Sequence, residues 1–182
     1  MKKTRSIIAV IIAVALIVPI AFAATKPVTT YAKDVTTTIS KTEKVKLKRL
    51  TNQFHTAALA KLAFEMESCQ TKTYDFSKKK NRKAILKYMY DPNVAPKEKA
   101  KRVFGKAVTG VEYLEGDWGE SGPVTPFKKI YKVGKKYKIV MAANLVSTSG
   151  DTTNYGTIVM VVKPKKDSYY GYVATKMTLK KK

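Results

Sequence analysis

The period of the apolar positions changes along this chain, and the changes divide it. Residues 7–20 are apolar almost without break, interrupted only by Pro19. From residue 40 the pattern becomes helical. Leu47, Leu50, Phe54, Ala58, Leu62 and Met66 recur at three- and four-residue spacing, which places them on one helix face. Ser40-Lys41-Thr42-Glu43 stands in front of them. This is a capping box, in which the Ser oxygen takes a first-turn N–H and the Glu side chain returns to the cap N–H. The spacing predicts a helix running to about residue 68. A second helix is predicted from a Ser77 cap to about Tyr90, with Ile85, Leu86 and Met89 facing inward and Asp91-Pro92 as its stop. A third opens at Ala95-Pro96, with Pro at the first helical position, and closes near Gly105.

Beyond Gly105 the period falls to two. Residues 111–114 form a candidate short strand, and residues 116–123, with three glycines and a proline, read as a turn. Four β-branched and aromatic runs follow, at 127–133, 137–146, 156–162 and 169–179. Tyr131, Val133, Tyr137 and Ile139 alternate with Lys132, Lys136 and Lys138, the pattern of a sheet with one wet face. The short connections require antiparallel neighbours. No internal repeat is present.

Amphipathic helices ahead of a one-sided meander predict an α+β fold, because each layer needs the other to cover its apolar side. The expected architecture is N-terminal helices packed on a curved four-stranded antiparallel sheet. Phe104-Gly105 ahead of Gly116-Asp117-Trp118-Gly119, then Tyr169-Tyr170-Gly171-Tyr172, resembles small exported NTF2-like or cystatin-like domains of Gram-positive bacteria. The resemblance covers residues 40–182 and implies a cone between helices and sheet. It names no activity, since that fold hosts enzymes and non-catalytic binding modules alike.

The first residues give the compartment. Met1-Lys2-Lys3-Thr4-Arg5 is a basic n-region, residues 7–20 an apolar h-region, and Ala21-Phe22-Ala23 a small-residue cleavage site. Together they read as a secretory signal peptide, cut after Ala23. A retained membrane anchor is the competing reading, against which Pro19 and the Ala-x-Ala pattern count. The expected organisation is a signal peptide at 1–23, a flexible Thr-rich leader at 24–40 and one domain at 41–182, secreted or held at the cell surface. Cys69 is the sole cysteine, so the domain is held by its core and by no internal disulfide.

Counting residues narrows the chemistry. With one His and one Cys, a zinc site of several His or Cys ligands is excluded. No G-x-S-x-G elbow and no phosphate-loop fingerprint occurs, and no cofactor is expected. His55, on the first helix, is the one candidate acid–base residue; a structural His is the simpler reading. Glu115, Asp117 and Glu120, with Glu112, are the one candidate oxygen-ligand cluster for a hard cation. The same acids also suit lysine pairing in a turn, with Trp118 plugging the open end of the sheet.

Charge is the larger signal. The chain carries 36 Lys and Arg against 13 acids, a net +23, and such a charge favours polyanionic partners. Residues 78–106 hold 11 of these cations. Lys78, Lys79, Lys80, Arg82 and Lys83 open the second helix, and Lys97, Lys101 and Arg102 lie on the third. These residues, with Trp118, are the candidate binding surface. Lysine is a hydrated point charge, whereas sequence-reading nucleic-acid proteins favour arginine forks. In an exported chain this points to a cell-wall polymer or membrane surface ahead of nucleic acid. The expected function is a non-catalytic envelope module with a basic binding face. The alternative is a small-ligand binder or enzyme using the cone.

Overall fold

The computed structural model describes residues 39–54, 57–58, 61, 65, 71–114 and 122–182. These fall within one compact unit. The signal segment, Ala23 and most of the leader lie outside the described residues.

The first helix, α1 (Lys41–Asn52), begins as its sequence requires. The Ser40 hydroxyl accepts the Glu43 N–H at 3.2 Å, and Glu43 Oε2 accepts the Ser40 N–H at 3.2 Å. It ends earlier than the apolar spacing predicts. Thr51 donates its hydroxyl back to the Leu47 and Lys48 carbonyls, a bond that bends helices. The Gln53 and Phe54 N–H groups then close three-residue turns onto Leu50 and Thr51. Ala57, Ala58, Lys61 and Glu65 are helical again beyond that turn. The helix expected to run to about residue 68 is thus interrupted after Asn52, and Leu47, Leu50, Phe54 and Ala58 still reach the core.

A short strand, β1 (Lys72–Asp75), comes next, unmarked by any alternation in the sequence. Two helices follow it, α2 (Lys79–Leu86) and α3 (Pro96–Phe104). Ser77 does not cap α2. Lys78 is the cap residue and gives the helix no side-chain capping bond; the Ser77 N–H instead donates to Asp75 Oδ1 at 2.9 Å. The third helix matches its sequence signals. Pro96 stands in its first turn, and Gly105 caps it at φ 67°, where a Cβ would be strained.

Residues 111–114, a candidate strand, pair with no ladder. Leu114 donates to the Lys87 carbonyl and the Tyr113 hydroxyl to that of Val94. Burial, with Asp91 adding to it, pushes the Tyr113 hydroxyl up to about 12.

The sheet is larger than the expected four strands. It holds β2 (Gly122–Val124), β3 (Phe127–Val133), β4 (Lys136–Val146), β5 (Thr152–Pro164) and β6 (Tyr172–Lys181), with β1 added at the far edge. The order is β1-β6-β5-β4, and β2 and β3 both pair with β4. β3 runs beside residues 136–141 of β4 and β2 beside 144–146, so six strands occupy five positions, all antiparallel. The turn signal at Gly122-Pro123 is overturned by this pairing. Proline and glycine are tolerated there because β2 is an edge strand.

Alternation decides the faces. Tyr137, Ile139, Met141, Ile158, Met160, Val162, Met177 and Leu179 are buried, while Lys138, Val140, Val159, Val161 and Thr178 between them are half-buried. The buried side meets Leu47, Leu50 and Phe54, and a ring cluster of Phe54, Phe76 and Phe104 joins the helices to it. The fold is therefore α+β, with helices on one face of an antiparallel sheet. None of the described helices is long and apolar enough to cross a membrane.

Candidate functional site

Two edges of α1 flank its buried stripe, and they meet different neighbours. On one edge Lys48 lies over the Phe127 ring of β3, at 5.4 Å. On the other, Lys46, Arg49 and Gln53 follow one another at helical spacing. They face the β5–β6 turn, with Lys166, Ser168, Tyr169, Tyr170 and Gly171 opposite. The space between is a groove of about 730 Å³.

The turn itself is tightly held. Lys165 N–H bonds the Gly171 carbonyl, Gly171 N–H bonds that of Ser168, and the Ser168 hydroxyl serves the Lys165 and Tyr172 carbonyls. A second groove, of about 400 Å³, opens between this turn and the end of α3. Glu98, Lys101, Arg102, Lys165 and Asp167 line it, and Ser168 and Tyr169 border both grooves. Lys165 ties the turn to α3 by donating to the Gly105 carbonyl at 2.9 Å.

Tyr169 is the centre of this region. It is 67% exposed. The Arg102 guanidinium carbon lies over its ring, 4.4 Å from the centroid, and Tyr170 meets it edge-on at 4.8 Å. Arg102 Nε also faces Glu98 Oε1 at 3.5 Å. Burial raises the Tyr170 hydroxyl above its ordinary range. Around Tyr169 the two grooves gather six cations, Lys46, Arg49, Lys101, Arg102, Lys165 and Lys166, against two carboxylates, Glu98 and Asp167. Such an arrangement can hold an anion by charge and by directed N–H donors, with an aromatic face beside it.

The residues singled out from the sequence divide. Lys101 and Arg102 belong to this region. Lys97 is exposed on α3, and Lys78, Lys79 and Lys80 are exposed at the start of α2. Lys83 donates to the Gly110 carbonyl at 3.2 Å, fastening the chain after α3. Arg82 is no surface cation. It is 6% exposed, and its Nη1 donates to the Phe76 and Ser77 carbonyls at 2.6 and 2.8 Å. It closes the turn between β1 and α2. His55, Trp118, Glu115, Asp117 and Glu120 lie outside the described residues, so no geometry bears on the acid–base, cone or metal candidates. Among the described residues no three His, Cys, Asp or Glu side chains converge.

Sequence reasoning missed Lys46, Arg49, Lys165, Lys166, Tyr169 and Tyr170 as site residues. The signal available was Lys163-x-Lys165-Lys166 followed by Tyr169-Tyr170, a basic turn carrying an aromatic pair.

A second polar centre joins α1 to the sheet. Glu43 Oε1 accepts the Tyr137 hydroxyl at 2.5 Å and that of Tyr172 at 3.4 Å. The two rings meet edge-on at 5.5 Å. The Tyr137 bond, with the Ser40 N–H, holds the Glu43 carboxyl below its ordinary value, while burial and Glu43 push the Tyr137 hydroxyl up. With its Ser40 bonds included, Glu43 is committed to structure.

Comparison with protein-family models, with curated proteins and with solved structures finds no match to this chain.

Proposed function

We propose that this chain is an exported, non-catalytic module of the cell envelope that binds an anionic polymer or surface through the grooves around Tyr169. The observation that carries the reading is the concentration of six cations against two carboxylates on both sides of one exposed, arginine-stacked ring. In a chain of net +23, positive charge is everywhere. A concave patch drawn from α1, α3 and one turn is more specific, because low-dielectric walls focus the field. Export follows from the basic n-region, the apolar h-region and the Ala21-Phe22-Ala23 site.

The same proposal takes the fold as NTF2-like. Its support is the element order, with helices ahead of an antiparallel meander and their apolar sides turned onto one sheet face. In this proposal the basic face lies on α1, α3 and the β5–β6 turn because these line the two grooves; of the residues expected at the start of α2, Arg82 is buried and bonded to backbone carbonyls.

The test is retention of the full chain on purified bacterial cell wall at low and moderate salt. The expected result is retention at low ionic strength and release as salt shortens the Debye length. Retention indifferent to salt, or none at all, overturns the reading.

A further inference from the structure

The chain contains 32 lysines and only four arginines. Bulk positive charge is amply supplied by lysine, so the positions of the arginines carry information that the net charge does not. Arg5 lies in the n-region. Arg82 is buried and bonded to backbone carbonyls. The remaining two, Arg49 and Arg102, sit on different helices, and each lines one of the two grooves that meet at Ser168 and Tyr169.

We infer that this region is a phosphate-reading site, in which Arg49 and Arg102 fork onto phosphodiester groups of an extended polyol-phosphate polymer. The inference rests on the anion-binding reading above and sharpens it, from any negative surface to one chemical group. A guanidinium offers planar, paired N–H donors that match phosphate oxygens two at a time, which an ammonium cannot do. Arg102 is also set in advance. Its guanidinium carbon is held over the Tyr169 ring, 4.4 Å from the centroid, and its ion contact to Glu98 is made through Nε. A donor already held in place loses less freedom on binding.

A chain of phosphates fits better than a lone one. The grooves are about 730 and 400 Å³ and lie on either side of the same turn, so one arginine serves each side. Lysines 46, 101, 165 and 166 then flank the path between successive charges. Single-stranded nucleic acid is the poorer fit, because it is held by bases stacking on several open rings. Here the region offers a single largely exposed ring, Tyr169, with Arg102 over one face, and Tyr170 is half-buried. A bilayer is a poorer fit still. The apolar side of α1, Leu47 and Leu50, is buried in the core, leaving little to insert among lipids.

The experiment titrates the full chain, by calorimetry, with a glycerol-phosphate oligomer, with polyglutamate and with oligothymidylate, all of equal charge and at fixed salt. The Arg49→Lys, Arg102→Lys double variant, which keeps net charge, is titrated beside it, as are the two single variants. The expected result is a preference for the glycerol-phosphate oligomer of about tenfold over polyglutamate, reduced in each single variant and erased in the double one. Circular dichroism identifies any variant that fails to fold, and the others then decide. Equal binding of the oligomer and polyglutamate, or a preference that survives in the double variant, overturns the phosphate assignment and leaves salt-dependent adhesion standing. Oligothymidylate bound more tightly than the glycerol-phosphate oligomer overturns the polymer named. No salt-dependent binding to any of the three removes the anion-binding reading itself.

Discussion

The hydroxyl of Tyr137, on β4, donates to the carboxylate of Glu43, on the first turn of α1, at 2.5 Å. Tyr137 is 3% exposed, so this bond fastens the start of α1 to the inner face of the sheet. Replacing Glu43 with Ala removes the carboxylate acceptor of the buried Tyr137 hydroxyl and half of the capping box. The expected loss is about 1–3 kcal/mol, read as a lower denaturant midpoint with unchanged slope. Glu43→Gln keeps an acceptor and is expected to lose less.

The same contact sets an acid dependence. Hydrogen bonds from Tyr137 and Ser40 depress the Glu43 carboxyl below 4.5 in the folded chain. The hydrogen bond from Lys99 does the same for Asp91, and the Ser77 N–H for Asp75. A carboxylate depressed on folding stabilises above its unfolded value, and that stabilisation is lost as the pH falls through the folded value. Stability is therefore expected to be level between about pH 5 and about pH 9 and to fall below about pH 4. Thermal melts across that window check this, and Glu43→Gln is expected to flatten part of the fall.

Lys99 is 4% exposed and donates to Asp91 Oδ2 at 2.9 Å. The two partners are not equivalent, since Asp91 is more exposed than Lys99. Asp91→Ala strands a buried ammonium and is expected to cost about 3 kcal/mol, whereas Lys99→Met leaves a carboxylate that water can reach and is expected to cost less. Urea unfolding of the two variants gives the comparison directly.

Gly156 sits beside the irregularity where β4 and β5 shift register between Ala143 and Asn144. Its φ is 151°, and a Cβ there would stand 2.0 Å from the Lys180 carbonyl oxygen of β6. Gly156→Ala is expected to cost about 3 kcal/mol or more, because the obstacle is backbone of a central strand pair. A thermal midpoint close to that of the unaltered chain would contradict the β5–β6 pairing.

Much of the fold was legible because its signals are local. The Ser40–Glu43 box, Pro96 and Gly105 each act within one turn, and the alternation from Tyr131 to Ile139 spans one hairpin. Three features were not. β1 contributes one buried side chain, Tyr74, and pairs with β6 a hundred residues away, so its own sequence carries almost no pattern. β2 contains Gly122 and Pro123, which mark turns until an edge position permits them. The break after Asn52 comes from Thr51 bonding back to Leu47, beneath an apolar spacing that continues undisturbed. The grooves were hidden for another reason. Their cations come from three distant segments, and one lysine among 32 is no signal. The rare arginines were the better guide.

Tyr169 separates function from stability. It is exposed on a surface turn, and Tyr169→Ala is expected to change stability by under about 0.5 kcal/mol. Arg102 then loses the ring that orients it, and cell-wall retention is expected to fall. A variant that melts normally and binds normally would show that the stack has no part in binding.

The most direct test of the central claim compares two faces at equal charge. Lys46, Lys101 and Lys166 line the grooves around Tyr169, whereas Lys132, Lys135 and Lys136 line a separate hollow where β3 turns into β4. Each trio is replaced by Gln, and the affinity of each variant for purified cell wall is measured at one low salt concentration. A site around Tyr169 requires the first variant to weaken binding by about tenfold or more and the second to weaken it far less. Equal losses in the two variants would mean that the whole basic surface adheres and that the groove is not the site.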